Sequence, residues 1–139
     1  MHVLTRSRDA QRLALDLGVH SAGEAYDRAP EPLDSAILFA PVGDLVPVAL
    51  TSLDRGGTLA VAGIHLSDVP SLNYQEHLFQ ERVLRSVTAN TRRDGDELMS
   101  VAARLHLRVA TQPYAFDKAD EALRDLAADR VTGAAVLTL

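Results

Sequence analysis

The apolar stretch SAILFA, residues 35–40, and the stretch TLAVAGI, residues 58–64, decide the fold of this chain. Neither stretch alternates apolar with polar residues, and both are too short for typical helices. Continuous apolar runs of this length predict strands that are buried on both faces, as in a parallel sheet. Between them Val46, Ala49 and Leu50 recur at helical spacing, so the region predicts a strand–helix–strand unit.

The same alternation continues in both directions along the chain. Ser7 predicts the cap of a helix after the first strand, and Gly18 predicts its end. Asp44 and Asp117 are the predicted caps of two later helices, and residues 23–32 predict a polar loop. Strands are predicted at 2–5, 35–40, 58–64, 84–89, 107–114 and 133–139, and helices at 7–17, 44–53, 94–105 and 117–126. Alternating strands and helices indicate an α/β protein with a doubly wound parallel sheet.

Composition excludes several classes of function. The chain has 139 residues, of which 47% are hydrophobic and 24% charged, so it can form a packed core. Its net charge of −5 argues against nucleic acid or an anionic membrane surface as the main partner. With no cysteine it offers no thiol nucleophile and no thiolate metal ligand. No apolar run is long enough for a membrane span and no secretory signal is visible, so we expect a cytoplasmic protein.

The ends of the predicted strands carry the candidate chemistry. In open parallel sheets, ligands bind outside the carboxyl ends of the strands. Four such ends can be identified, at residues 5–7, 39–42, 63–65 and 89–93. At the first of them, Arg6 lies between the hydroxyl residues Thr5 and Ser7. An arginine with hydroxyls there suits a ribose 2′-phosphate, whereas an acidic residue would accept a 2′-hydroxyl. A solvated helix start is the alternative explanation of Arg6.

Several moderately specific motifs, in order along the chain, resemble one known family. They are VLTRS at 3–7, ALDLG at 14–18, LDRGGTLAVAGI at 53–64, SVTANTR at 86–92, PYAF at 113–116 and GAAVL at 133–137. Together they resemble the zinc-type alcohol dehydrogenases of the medium-chain dehydrogenase/reductase superfamily. The resemblance covers essentially the whole chain.

The resemblance implies a nicotinamide cofactor, NADP, and a set of residues that bind it. By that resemblance Arg6 and Ser7, next to Thr5, would hold the adenosine 2′-phosphate. The adenosine and ribose would lie along Phe39, Ala40 and Pro41. The nicotinamide carboxamide would lie against Gly63, Ile64 and His65. The outer face of the cofactor would lie near Asn90 and Arg92.

The chain also departs from the family pattern. None of its eight glycines forms the G-x-G-x-x-G turn that cradles the diphosphate, and no zinc ligands can be identified. We therefore expect the C-terminal portion of such an enzyme, with an incomplete Rossmann-like sheet that lacks its first strand and glycine-rich turn. Residues 1–93 would form the partial nucleotide-binding domain. Residues 94–139 would complete that domain or return to the absent catalytic domain.

The missing strand leaves three alternatives open for the sheet. The strand at Val3 could pair directly beside Ile37, could be loosely held, or could be joined by a strand from a complementing N-terminal chain. For this reason we expect weak cofactor binding and no turnover of alcohol or aldehyde by the chain alone. In the family that the chain resembles, the catalytic domain determines the substrate.

Two classes of function remain. The first is the dehydrogenase fragment, and the second is a non-catalytic α/β module that dimerises through an exposed strand at 84–89. His65 is either a proton relay or a solvated loop residue. Glu76, His77 and Glu81 have the spacing of a weak metal-binding pattern, although a third ligand in register is lacking. A solvated turn explains Arg92 and Arg93 better than an anion-binding site does.

Overall fold

The computed structural model describes residues 1–107 and 109–139. They form two compact units, residues 1–91 and residues 92–139, which are described separately. Among the described residues, none of the helices has the length and apolar character needed to cross a membrane.

The first unit is an α/β structure built on parallel strands. Its strands are β1 (His2–Leu4), β2 (Ser21–Gly23), β3 (Leu33–Leu38), β4 (Leu53–Val61) and β5 (Val83–Ser86), and its helices are α1 (Arg8–Asp16), α2 (Leu45–Ser52) and α3 (Tyr74–His77). β1 pairs with β2, and β3, β4 and β5 form a separate sheet in that order. Every one of these pairs is parallel, as the apolar stretches predicted.

The core of the first unit lies between α2 and the β3–β4–β5 sheet. Val46 and Leu50 of α2 and Leu59 of β4 are completely buried. Leu38 of β3 and Leu53 at the start of β4 belong to the same cluster. The predicted stripe of α2 is therefore the face that packs on the sheet. Burying side chains of this size contributes about 1.5–3 kcal/mol each, so the cluster anchors the carboxyl-end loops that follow β3 and β4.

Helix α1 begins and ends as the sequence predicted. The Ser7 hydroxyl accepts a hydrogen bond from the Ala10 N–H at 3.4 Å, and Gly18 has a φ of +95°, which favours glycine. The prediction for Asp44 was wrong, because its side chain makes no capping hydrogen bond. Its own backbone is already helical, whereas an N-cap residue needs extended backbone angles to reach back to the first turn.

Several predicted boundaries were also wrong. β2 and α3 lie in segments predicted as loop and connection, because three- and four-residue elements are too short for a periodic pattern. β4 begins at Leu53 rather than Thr58 and contains an irregularity where Leu33 pairs with Leu53 but Ser35 with Thr58. Burial of β3 on both faces was wrong too, because Ile37 is 62% exposed.

The second unit contains α4 (Arg92–Leu105), β6 (Thr111–Ala115), α5 (Ala119–Ala127) and β7 (Ala134–Thr138). β6 and β7 pair in parallel. Asp117 does not cap α5, because it lies inside a tight 3₁₀ turn, Phe116–Lys118, that leads into the helix. Along the apolar stripe of α5, Ala122 is buried, whereas Leu123 and Leu126 are exposed.

A hydrogen-bonded network joins β6 to α5. The Tyr114 hydroxyl donates to Asp125 at 3.0 Å, and Arg130 donates to the other oxygen of the same carboxylate at 2.7 and 2.9 Å. Hydrogen bonds from Arg130 and Tyr114 hold the pKa of Asp125 below its usual range. Desolvation and the bond to Asp125 raise the pKa of Tyr114.

Candidate functional site

The carboxyl ends of β3 and β4 lie side by side and form the candidate site. The N–H groups of Ala62 and Gly63 both donate to the carbonyl of Leu38, at 2.8 and 3.2 Å. On the other side of β4, the Val87 N–H donates to the Val61 carbonyl at 2.9 Å. The carboxyl ends of β3, β4 and β5 therefore lie at one edge of the sheet, where ligands of open α/β proteins bind.

Gly63 allows the two strand ends to approach closely. A methyl group on its Cα would lie 3.1 Å from the carbonyl oxygen of Phe39 and 3.2 Å from that of Ala40. The structure therefore brings together three of the predicted site residues as a ledge of main-chain atoms. The close approach of these two strand ends therefore requires a glycine at position 63.

Exposed side chains border this ledge. Phe39 is 73% exposed and Ile64 is 80% exposed, and Pro41 and His65 are exposed as well. Exposed apolar side chains that lie together are often found at binding surfaces. His65 makes no described contact that would identify it as a proton relay, so its role stays a prediction.

A serine that the sequence analysis missed braces the two loops above the ledge. The Gly43 N–H donates to the Ser67 hydroxyl at 2.8 Å, and the Ser67 N–H donates to the Pro41 carbonyl at 3.3 Å. Gly43 is required here, because a methyl group on its Cα would overlap the carbonyl of Asp68. In the sequence, Gly43 was the signal that could have indicated this close contact between the loops. No local pattern indicates the role of Ser67.

The carboxyl end of β1 places Thr5, Arg6 and Ser7 directly before α1. Arg6 and Ser7 are exposed, and Thr5 is half-buried. Gln11, also missed, fixes this turn, because its side-chain amide donates to the Thr5 carbonyl at 2.9 Å and to the Glu24 carboxylate at 3.2 Å. The guanidinium and hydroxyls at this turn are donors that an anion can use, although the Ser7 oxygen already accepts the α1 cap bond.

The remaining predicted residues fall in different units. Asn90 is an exposed residue near the end of the first unit, and Arg92 is the first residue of α4 in the second. The structure places both after β5, which is where the sequence put them. A shared role at the cofactor stays a prediction.

The contacts of His77 and Glu81 explain both side chains without a metal ion. His77 is buried, and its Nδ1 donates to the Asn73 carbonyl at 2.9 Å, while Glu81 pairs with Arg55 at 3.1 Å. Over residues 1–107 and 109–139, no three histidine, aspartate or glutamate side chains are grouped so that they could hold a metal ion. The described residues therefore do not fit a zinc site.

Parallel strands flanked by helices, with their carboxyl ends side by side, define the class as a Rossmann-like α/β structure. In sequence the chain matches the C-terminal part of a medium-chain alcohol dehydrogenase. That protein is the "Probable alcohol dehydrogenase AdhA" of Mycobacterium tuberculosis, 60% identical over 139 residues. The match spans 100% of this chain but 40% of that protein. No protein-family model matches the chain.

Solved structures show the same fold. An alcohol dehydrogenase from Sinorhizobium meliloti superimposes with a TM-score of 0.80 at 22% identity, over 99% of this chain and 43% of that one. The Aeropyrum pernix alcohol dehydrogenase gives 0.77 at 20% identity, covering 99% and 42%. Helicobacter pylori CAD, solved in complex with NADP(H), gives 0.77 at 19% identity, covering 98% and 40%. The resemblance stated from the motifs is thereby confirmed, and this chain spans less than half the length of each of these proteins.

Proposed function

We propose that this chain is the nucleotide-binding portion of an NADP-dependent, zinc-type alcohol dehydrogenase and that it does not turn over alcohol or aldehyde by itself. One observation carries the proposal. In a chain 60% identical to part of an alcohol dehydrogenase, an exposed arginine flanked by two hydroxyl residues ends β1. An acidic residue at this place would favour a free 2′-hydroxyl, whereas Arg6 favours a phosphate.

The turn at β1 would bind the 2′-phosphate. Arg6 provides charge-assisted donors, and the hydroxyls of Thr5 and Ser7 add neutral ones. The bond from Gln11 to the Thr5 carbonyl holds this turn in place before any ligand arrives. Gln11 also holds the Glu24 carboxylate by its side-chain amide, which lessens the repulsion between that carboxylate and a phosphate.

The ledge at the carboxyl ends of β3 and β4 would bind the rest of the cofactor. Phe39, Ala40 and Pro41 would lie along the adenosine and its ribose. The main chain at Gly63, with Ile64 and His65, would lie against the carboxamide of the nicotinamide, and Asn90 and Arg92 would lie near its outer face. When bound, the nicotinamide supplies the hydride-carrying ring. The residues of this chain bind and orient it.

Two features that this chain does not present explain why we expect no turnover of alcohol or aldehyde. The diphosphate would lack the glycine-rich turn and helix N-terminus that bind it in dinucleotide folds. The described residues also contain no cluster of three histidine, aspartate or glutamate side chains that could hold zinc. We assign residues 1–93 to the partial nucleotide-binding domain and residues 94–139 to the segment that completes it or returns to a catalytic domain. We place the protein in the cytoplasm.

A comparison of two nucleotides distinguishes binding of the 2′-phosphate from a general affinity for nucleotides. Adenosine 2′,5′-bisphosphate carries the 2′-phosphate, and adenosine 5′-monophosphate does not. We expect the bisphosphate to bind at least about tenfold more tightly, since a charge-assisted hydrogen bond contributes about 1.5–3 kcal/mol. Equal binding of the two nucleotides would contradict the NADP assignment.

A second candidate function rests on β5. All four residues of this strand are exposed, and among the described residues it pairs only with β4. Its apolar side chains Val83 and Leu84 are 45% and 39% exposed. An open edge of this kind is a template for pairing with a second copy, so the chain could act as a homodimeric association module. Sedimentation that stays monomeric at high concentration would exclude this function.

A further inference from the structure

A small cavity lies on the face of α2 that points away from the sheet. Val46 and Leu50 pack in the core, whereas Pro47, Val48 and Thr51 lie on the other side of the helix and line the cavity. Its volume is about 230 Å³. We call it the α2–α3 cavity, because α3 forms another of its walls. Among the described residues that line it, none is a predicted cofactor-binding residue.

The charged side chains at the α2–α3 cavity form an opposed pair. Arg28, from the segment after β2, lies 3.9 Å from the carboxylate of Glu76 in α3, and both side chains are largely exposed. A pair of this kind contributes little to stability, but its two charges offset each other. Apolar surface comes from Tyr26, Pro47 and Val48. The described lining therefore favours a ligand without net charge.

His77 is the buried residue of the lining, and its ring is held in one orientation. Only 8% of its surface is exposed. Nδ1 lies 2.9 Å from the carbonyl oxygen of Asn73, which accepts a second hydrogen bond from the His77 backbone N–H, also at 2.9 Å. Because a carbonyl oxygen only accepts, Nδ1 carries the proton of the neutral ring. The other nitrogen, Nε2, then presents a lone pair.

Nε2 is the part of the His77 ring that is left for a ligand. It makes no hydrogen bond with any described residue, and it is not sealed from solvent as the buried Nε of Arg82 is. Polar atoms of buried side chains are normally hydrogen-bonded, to protein or to something that enters from outside. The ring therefore offers one hydrogen-bond acceptor, at a fixed place, to a molecule that enters the α2–α3 cavity.

We propose that the α2–α3 cavity binds a small uncharged phenol, whose hydroxyl donates to Nε2 of His77 and whose ring lies against Tyr26, Pro47 and Val48. The hydroxyl supplies the donor that the lone pair takes, and an aromatic ring matches walls made of an aromatic and two aliphatic side chains. Drug-sized ligands occupy sites of about 300–1,000 Å³, so the smaller volume here limits the ligand to about one ring. The inference goes beyond the proposed function, because the cavity shares no residue with the NADP site.

Three probes of similar size test the chemistry of the α2–α3 cavity on the unaltered chain. Phenol has the hydroxyl donor, anisole carries a methyl group in place of the hydroxyl hydrogen, and benzoate presents only acceptors and a negative charge. We expect phenol to bind at least about threefold more tightly than anisole, since one neutral hydrogen bond separates the two. Benzoate should bind more weakly than phenol, because its oxygens would face the lone pair of Nε2.

Nitrogen-15 NMR of the histidine rings reports where phenol binds. The Nε2 resonance of His77 should shift as phenol is added, and its dependence on concentration should match the binding curve. His106 lies in the second unit and is exposed, so its ring provides the internal control. Its resonances should not follow the phenol concentration.

Two tyrosines of nearly equal exposure provide matched variants. Tyr26 lines the cavity and is 61% exposed, whereas Tyr74 is 62% exposed and packs edge-on against Phe79 instead. Tyr26→Ala should weaken phenol binding by at least about threefold, because it removes the aromatic wall. Tyr74→Ala should leave the affinity unchanged. Because both side chains are exposed, neither variant removes a buried part of the fold.

A variant of His77 itself isolates the hydrogen bond. His77→Phe keeps a ring of similar size and removes Nε2, and the backbone N–H of residue 77 still donates to the Asn73 carbonyl. Phenol and anisole should then bind equally well. If this variant fails to fold, the comparison of phenol with anisole on the unaltered chain and the tyrosine pair still decide the matter.

Several results would overturn the inference. They are the absence of saturable phenol binding, which would mean that the cavity takes water only, and equal affinity for phenol and anisole. A shift of the His106 ring equal to that of His77 would mean non-specific binding, and benzoate binding more tightly than phenol would mean an anion held by Arg28. None of these results bears on NADPH, whose affinity phenol should leave unchanged.

Discussion

The hydroxyl of Ser67 accepts a hydrogen bond from the main chain of Gly43 at 2.8 Å, across 24 residues of sequence. This bond joins the loop after β3 to the loop after β4, directly above the ledge formed by Phe39, Ala40 and Gly63. Because the loops of α/β sheets commonly carry ligand contacts, the shape of the ledge depends on Ser67, which lies outside the predicted site residues.

Removing the hydroxyl should loosen both loops. Ser67→Ala leaves the buried Gly43 N–H without its acceptor, so the free energy of unfolding should fall by about 1–3 kcal/mol in urea denaturation. The exposed Ser71, in the same loop, provides the control. Ser71→Ala should change the free energy by less than about 0.5 kcal/mol, and equal losses in the two variants would contradict the brace.

Gly43→Ala should destabilise the chain by more than about 2 kcal/mol, because its methyl group would overlap the Asp68 carbonyl. Gly95→Ala is the matched substitution, since nothing lies within 4 Å of a methyl group there and Gly95 is within α4. It should stabilise the chain by about 0.5–1 kcal/mol. Thermal unfolding followed by circular dichroism compares the two, and a tolerated Gly43→Ala would refute the loop geometry.

Arg6→Ala should weaken binding of NADPH by about 10- to 100-fold, because it removes the charge-assisted donors to the 2′-phosphate. Binding of NADH, which has no such phosphate, should change little. Arg12→Ala is the control, since Arg12 is exposed on α1, the helix that follows Arg6, and pairs with Asp9 at 3.0 Å. If Arg12→Ala reduced NADPH affinity as much as Arg6→Ala, general positive charge would explain the effect.

The network at Tyr114 predicts how stability depends on pH. The pKa of Asp125 is lowered in the folded state, so its contribution is complete above about pH 4 and is lost as the pH falls through the lowered value. The pKa of Tyr114 is raised, so its contribution is complete below about pH 10 and is lost as the pH rises through the raised value. The melting temperature should therefore fall at both extremes. Asp125→Asn should reduce the acid-side fall, and Asp117→Asn should leave it in place.

The sequence was informative where one strong local signal decided the structure. The run at 35–40 predicted a parallel strand, and Ser7 and Gly18 predicted the ends of α1, because capping and positive φ depend on single residues. The motifs around Arg6 and in residues 53–64 contributed to the predicted resemblance to alcohol dehydrogenases, and the 60% identity to part of such a protein confirms that resemblance.

Other features depend on contacts that a local pattern does not contain. Ser67 and Gly43 meet only after β3 and β4 have paired, and Gln11 reaches Thr5 and Glu24 only when α1 lies beside β2. Asp44 has the residue type of a cap, but the preceding turn already places its backbone in the helical region. Ile37 is 62% exposed, so no described element covers its face of β3, and the residues of the strand itself do not reveal this.

Calorimetric titration of the chain with NADPH, and separately with NADH, tests the nucleotide-binding assignment most directly. The geometry at Thr5, Arg6 and Ser7 predicts saturable binding of NADPH that is weak but at least about tenfold tighter than that of NADH. The preference should disappear in Arg6→Ala. Equal affinity for the two cofactors, or no heat from either at millimolar concentration, would contradict a working 2′-phosphate site at the end of β1.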